Sequence, residues 1–205
     1  MSDNFASLSY RALMSGGQAH IIVTIDTKNP IEIGDFVAAF TSVANQYDKF
    51  IREHHPDVNS QAQIFVKEVT QGSIVADLIP FLPTMFGVDS VIHHIEQVNI
   101  VTEFVKLYGG KLGAYLSGGQ DESSSSSDLK EFIGSVAAIA NDPDGKAAIE
   151  AAYFEDGKKQ ITAAVRFDTK TATRGLQQIE RRRLELERKS MPTILAPLWS
   201  SSSRM

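Results

Sequence analysis

The spacing of hydrophobic positions changes period several times along the chain, and each change marks an element. "AHIIVTIDT" alternates: Ile21, Val23 and Ile25 share one face of a strand, and His20, Ile22, Thr24 and Asp26 share the other. The period then lengthens. Phe36, Ala39, Phe40, Val43, Tyr47, Phe50 and Ile51 form one stripe of a helix. Asn29 is placed to cap it, Pro30 suits its first position, and Glu32 can reach back to the Asn29 N–H. Pro56 stops it after His54 and His55.

"VKEVTQGSIVADLIP", Val66 to Pro80, returns to period two. A three-residue loop, Thr70-Gln71-Gly72, would pair Glu68 with Ile74, Val66 with Ala76 and Ile64 with Leu78. That register puts Ile64, Val66, Ile74, Ala76 and Leu78 on one face and gives Gly72 a left-handed position. No helix start follows Gly72, so the stretch reads as a hairpin rather than a phosphate-binding loop. From Asp89 to about Tyr108 a helix carries Val91, Ile95, Val98 and Val105 in one stripe, widened by Ile92, Ile100, Phe104 and Leu107. Gly109-Gly110 should end or kink it.

"SGGQDESSSSS", residues 117–127, has a linker's composition. Beyond it, Asp128 and Glu131 suggest a capping box for a helix with the stripe Leu129, Phe132, Ile133, Val136 and Ala140. "NDPDG" is a turn. A second hairpin around Asp156-Gly157, with loop 156–158, sets Tyr153 opposite Ile161, Ala151 opposite Ala163 and Ile149 opposite Val165. Asp168 or Thr169 then caps a last helix, 170 to about 189.

The expected fold is α+β. A mainly antiparallel sheet, built from an N-terminal strand and two β-hairpins, is covered on one face by four helices in the order β-α-β-β-α, linker, α-β-β-α. The expected organisation is an N-terminal arm (1–18), a first half (19–116), a flexible Gly/Ser-rich linker (117–127), a second half packing on the first (128–189) and a flexible tail (190–205).

Composition narrows the partners. The 205 residues are 42% hydrophobic and 22% charged, with a net charge of −5, ordinary for a globular protein and opposite in sign to a dedicated nucleic-acid binder. There is no cysteine, which excludes disulfides and thiolate metal sites. "IVADLIPFLPTMFGV" is too short for a transmembrane span, and the polar start "MSDNFASLSYRALMSGG" lacks the plan of a secretory signal, so a cytoplasmic location is expected.

The candidate chemistry is thin. His54-His55 and His93-His94 are adjacent pairs whose members diverge by about 100° on a helix, so neither pair chelates a metal by itself. A cross-helix site such as His55 with His93 and Glu96 is the remaining arrangement. "DPDGKAAIE" lacks the EF-hand spacing. "YGGKLG" and "SGGQAH" lack the P-loop pattern. Asp26, Asp77 and Asp168 fall near strand ends, where paired carboxylates could collect. "RGLQQIERRRLELERK" pairs Arg181 with Glu185, Arg183 with Glu187, and Glu185 with Lys189, the pattern of a solvated helix. No catalytic, cofactor-binding or metal residue is assigned, and no cofactor is called for.

"DTKNPIEIGDF", "VKEVTQGSIVADLIPF", "DLKEFIGSVAAIANDPDGKA" and "FEDGKKQITAAVRFDT" together resemble a family of uncharacterised bacterial proteins over about residues 20 to 188. The shared motifs are caps and turns, and the resemblance implies no activity. The expected function is a non-enzymatic interaction or scaffolding domain that self-associates or binds a protein partner. The region from Leu176 to Trp199, with Ile194, Leu195 and Leu198, is expected either to pack on a partner subunit or to mark where a partner segment docks. The alternatives are a small-molecule or nucleotide-binding domain with hydrolytic activity, and peripheral membrane attachment through Phe81, Leu82 and Phe86.

Overall fold

The computed structural model describes residues 19–56, 63–70, 74–81, 90–155 and 158–190. The elements in chain order are β1 (Ala19–Asp26), α1 (Ile33–His54), β2 (Gln63–Thr70), β3 (Ile74–Phe81), α2 (Ser90–Leu116), α3 (Ser126–Ala140), β4 (Lys146–Glu155), β5 (Lys158–Asp168) and α4 (Thr169–Ser190). The five strands form one antiparallel sheet in the order β2-β3-β1-β4-β5. β1 is the middle strand. Its ladder to β3 joins the first hairpin, and its ladder to β4 joins the second. The α+β architecture read from the sequence is therefore the one observed.

Ile21, Val23 and Ile25 face the helices and join a core with Val43, Tyr47 and Ile51 of α1, Phe104 and Leu112 of α2, and Leu129 and Phe132 of α3. α2 crosses β5, β4 and β1; α3 lies between α1 and α4. His20 and Ile22 point to the opposite face and are also buried, as a central strand requires. Among the described residues no helix is long and apolar enough to cross a membrane.

Several local expectations need correction. In the first hairpin Val66 stands opposite Leu78 and Ile64 opposite Pro80, with a bulge between Val66 and Glu68. Up to Val66 the pairing is shifted from the expected one by two residues, which preserves the faces there, and past the bulge Glu68 stands opposite Asp77 in place of Ile74; Ala76 and Leu78 are buried, and Ile64 and Ile74 pack against the core. The bulge absorbs the odd residue between that register and the turn. Pro80 lies beyond the β1 ladder, which ends at Leu78, so its missing N–H breaks no pairing there. The Gly72 turn, the arm 1–18 and the tail from 191 lie outside the described residues.

The second hairpin has the expected pairs Ile149–Val165 and Ala151–Ala163, but Tyr153 faces Gln160 instead of Ile161. Glu155 pairs with Lys158, so only two residues connect the strands. The extra residue, Thr162, sits in a bulge rather than in the turn.

α2 runs through Gly109-Gly110 to Leu116. A Cβ on Gly109 would lie 3.1 Å from Val165 Cβ, so this glycine lets α2 approach β5 and does not stop the helix. The stop is Gly118, at φ 94°: its N–H donates to the Tyr115 carbonyl, and Gly119 N–H donates to that of Ala114. This is a Schellman closure.

Asn29 does not cap α1. The helix begins at Ile33 after Glu32, whose side chain makes no cap bond, while Asn29 N–H donates to Asp142 Oδ2 at 2.9 Å. The capping box of α3 is Ser125 with Asp128, three residues ahead of the expected Asp128–Glu131. Ser126 and Ser127, expected in the linker, are the first turn of α3. Asp121 accepts from Ser123 and Ser124, giving the segment between α2 and α3 the bonds of a tight turn.

Candidate functional site

Polar side chains gather in three places. On the sheet face away from the helices, β1 and β3 bring His20 Nδ1 within 2.6 Å of Asp77 Oδ1, and Phe154 sets its ring edge-on to the imidazole at 4.9 Å. A carboxylate that orients an imidazole is one half of a general-base arrangement. Here His20 is only 3% exposed, and the pair serves to tie two strands.

On the same face Glu150 of β4 accepts from Lys159 Nζ at 2.7 Å and from Arg166 Nη2 at 2.6 Å, both on β5. Burial opposes the charge on Glu150, but the bonds from Lys159 and Arg166 outweigh it and hold the carboxyl below its ordinary value. Both cations reach water, so Glu150→Ala frees them to solvent and strands neither. The expected loss is about 1 kcal/mol, read as a shift in the urea midpoint at unchanged slope.

Asp26, Asp77 and Asp168 do not collect. Asp26 and Asp168 flank Lys146 in one cross-strand row at the end of the sheet, whereas Asp77 sits with His20. Asp168 caps α4. The Thr171 N–H and then its hydroxyl lower the Asp168 carboxyl, as expected of a cap. "NDPDG" is a locked turn: Asp142 Oδ1 accepts from Asp144 N–H, and Thr169 Oγ1 donates to the Asp142 carbonyl.

The second cluster is Asp128. It is 1% exposed, closes the α3 cap, and accepts from Lys49 Nζ at 2.7 and 2.8 Å and from Gln46 Nε2 at 2.9 Å. Burial works against its charge, yet the Lys49, Gln46 and Ser125 bonds prevail and hold the carboxyl well below the usual range. The sequence carries a signal for this in Ser125-x-x-Asp128 and in Gln46 beside the buried Tyr47.

The third place is an open groove of about 470 Å³ between the end of α1 and the middle of α2, lined by His55, Ile95, Glu96, Asn99, Ile100 and Glu103. His54 stacks on Phe50 and His55 meets the same ring edge-on, so the adjacent histidines diverge. His55 Nε2 lies 3.8 Å from Glu103 Oε2, too far for a hydrogen bond. The groove thus brings together His55 and Glu96 of the cross-helix set; His93 is on α2, its side chain outside the described set. Among the described residues no group of three or more His, Asp or Glu is placed to hold a metal ion.

Around these clusters, the helices present apolar side chains outward. Ile33 and Val37 on α1 are 73% and 52% exposed, Ile95 and Leu107 on α2 56% and 38%, and Leu184 on α4 48%. The α4 ion pairs differ in part from the expected ones. Arg183 holds Glu187 at 3.6 Å as expected, but Glu185 is taken by Arg182 at 3.4 Å, not by Arg181. Arg182 is buried and also donates to the Glu122 carbonyl, which explains its claim on Glu185. No family model matches the chain, and neither a curated relative nor a solved structure matches it.

Proposed function

We propose that this chain is a non-enzymatic interaction domain that self-associates. The observation that carries this reading is the outward placement of Ile33, Val37, Ile95, Leu107 and Leu184 on three helices whose inner stripes already fill the core. Apolar side chains repeated over one layer of a protein are what an association surface needs at its centre. These carboxylates have structural work: buried Asp128 binds α1 to α3, buried Glu150 binds β4 to β5, Asp142 holds a turn, and exposed Asp168 caps α4. In this reading the domain is cytoplasmic, where a cysteine-free chain forgoes nothing.

The test is light scattering of the full chain over a wide dilution series. The expected result is a mass that falls from an oligomer to a monomer on dilution. A monomer at every concentration, with no partner required for folding, refutes the reading. The groove at His55 favours a second reading, a small-molecule site, because its volume lies in the range of ligand pockets. Saturable quenching or a melting shift from a small-molecule panel, in a chain that stays monomeric, would favour that alternative.

A further inference from the structure

We propose that residues 1–18 dock across the sheet face opposite the helices, so that the chain's own N-terminal arm closes the His20–Asp77 pair off from solvent. The inference is independent of self-association, because the cover is needed within a single chain.

The helices pack on one face of the sheet. Ile21, Val23, Leu78, Ile149 and Val165 enter their core from that face. On the other face β1 contributes His20 and Ile22, β3 Asp77 and Ile79, and β4 Glu150 and Ala152. Ile22 and Ile79 are only 4% and 3% exposed, and His20, Glu150 and Ala152 are buried too. Neither isoleucine belongs to the helix-side core. An antiparallel sheet with one bare face leaves that face in water, and here it is dry. The long side chains nearby do not supply the cover: Lys159 and Arg166 turn to Glu150, and much of Arg166 stays in water.

Chain connectivity selects the segment. Residues 71–73 and 156–157 join paired strands and are too short to cross a sheet. Residues 57–62 leave α1 and residues 82–89 lead into α2, so these short connections are spent passing between the helix layer and the sheet. The chain from 191 leaves α4, which packs on α3 and α2, and would first have to round the edge strand β5. Residues 1–18 have none of these obligations. They run directly into Ala19 of the middle strand, next to His20, at the end of the sheet where Asp77 and Phe154 meet it. They would reach roughly 60 Å if extended and about 27 Å if helical, and five strands are about 19 Å across.

The composition of the arm suits the face. Phe5, Leu8, Leu13 and Met14 supply apolar side chains, and Asp3 and Arg11 are its only charges. On the face, His20 is bonded to Asp77, and Glu150 to Lys159 and Arg166. What is left for a cover to bury is the apolar strip of Ile22, Ile79 and Ala152. Release of the arm would open that strip to water with an imidazole–carboxylate pair beside it.

Paramagnetic broadening in the full chain tests this. The chain has no cysteine, so a nitroxide can be placed at one site, Ser7→Cys in the arm or Ser203→Cys in the tail. With the label at position 7, the methyl signals of Ile22 and Ile79 should be lost, while those of Ile139 and Ile179 in the helix layer persist. Circular dichroism melts matching the wild type show that labelling leaves the fold intact. Loss of the Ile22 and Ile79 signals only from position 203 overturns the assignment in favour of the tail. Persistence under both labels hands the cover to a connecting segment and overturns it equally. A mixture of nitroxide-bearing chains without isotope and isotope-labelled chains without nitroxide separates one chain from two. Signals that persist in the mixture show that the arm covers its own sheet; their loss overturns the proposal in favour of an arm from a second copy.

Discussion

Replacing Asp128 with alanine should lower the unfolding free energy by about 3–5 kcal/mol, the usual cost of removing one partner of a buried ion pair. Two losses combine. The α3 cap loses the carboxylate that accepts from the Ser125 N–H and hydroxyl. Lys49 and Gln46 lose the acceptor that brings α1 onto α3. Lys49 keeps Glu53 at 3.8 Å, a weaker partner near solvent, whereas Gln46 is buried. Asp128→Asn keeps an oxygen for the cap and should cost less.

The pH dependence follows in sign. The folded carboxyl of Asp128 lies below its unfolded value, so its stabilisation is complete above the unfolded carboxylate pKa, about 4, and is lost as pH falls through the folded value. Urea melts of wild type and Asp128→Asn should therefore differ most above about pH 4 and draw together progressively as pH falls from there toward the folded value. A gap that persists undiminished into strong acid would mean that the ionised carboxylate is not what joins the helices.

Gly134→Val should destabilise by about 3 kcal/mol, at the upper end of ordinary overpacking. Gly134 lies where α3 crosses α1. A Cβ there would collide with Ser42 Oγ and approach the Ala38 carbonyl oxygen to 3.2 Å. The hydroxyl can rotate, but the carbonyl belongs to the helix backbone, so α1 must back away. Gly134→Ala meets the same obstacles with a smaller side chain and recovers about 1 kcal/mol of helix propensity, leaving a smaller net loss. Adding Ser42→Gly should restore part of that loss beyond additivity. Denaturation of the two singles and the double measures the coupling. Additive effects would place the strain elsewhere.

Local patterns are what the sequence makes legible. The period-two face of β1 and the stripe of α1 are local patterns, and both are found as read. The second hairpin has its expected register at Ile149–Val165 and departs from it at Tyr153, because nothing in the local pattern separates an extra residue in a turn from one in a bulge. Gly109-Gly110 reads locally as a helix end. Its use depends on Val165 of β5, far away in sequence. Asn29 reads as a cap, but Asp142 claims its N–H from beyond α3. Of the candidate groove, His55 and Glu96 read as part of a cross-helix set, while Ile95 and Leu107 read as members of the helix's apolar stripe and stand exposed. A helix buried on several sides and one with an exposed apolar stripe share a composition, and only packing distinguishes them.

The central position of β1 has a kinetic consequence. β1 is the first described strand in the chain, yet half of its backbone bonding is to β4, which comes after α3. On the ribosome, β1 and the first hairpin can pair early, but the β4 side of β1 must wait, with Ile21 and Val23 incompletely covered, until most of the chain has emerged. Closing so long a loop delays the reward for the early contacts and makes folding slow relative to a helical protein of equal length. The waiting edge of β1 is also the place where a nascent or partly unfolded chain would capture a strand of the wrong partner. Once β4 docks, it joins the two hairpins through one strand, so the sheet is expected to open and close as a single cooperative unit.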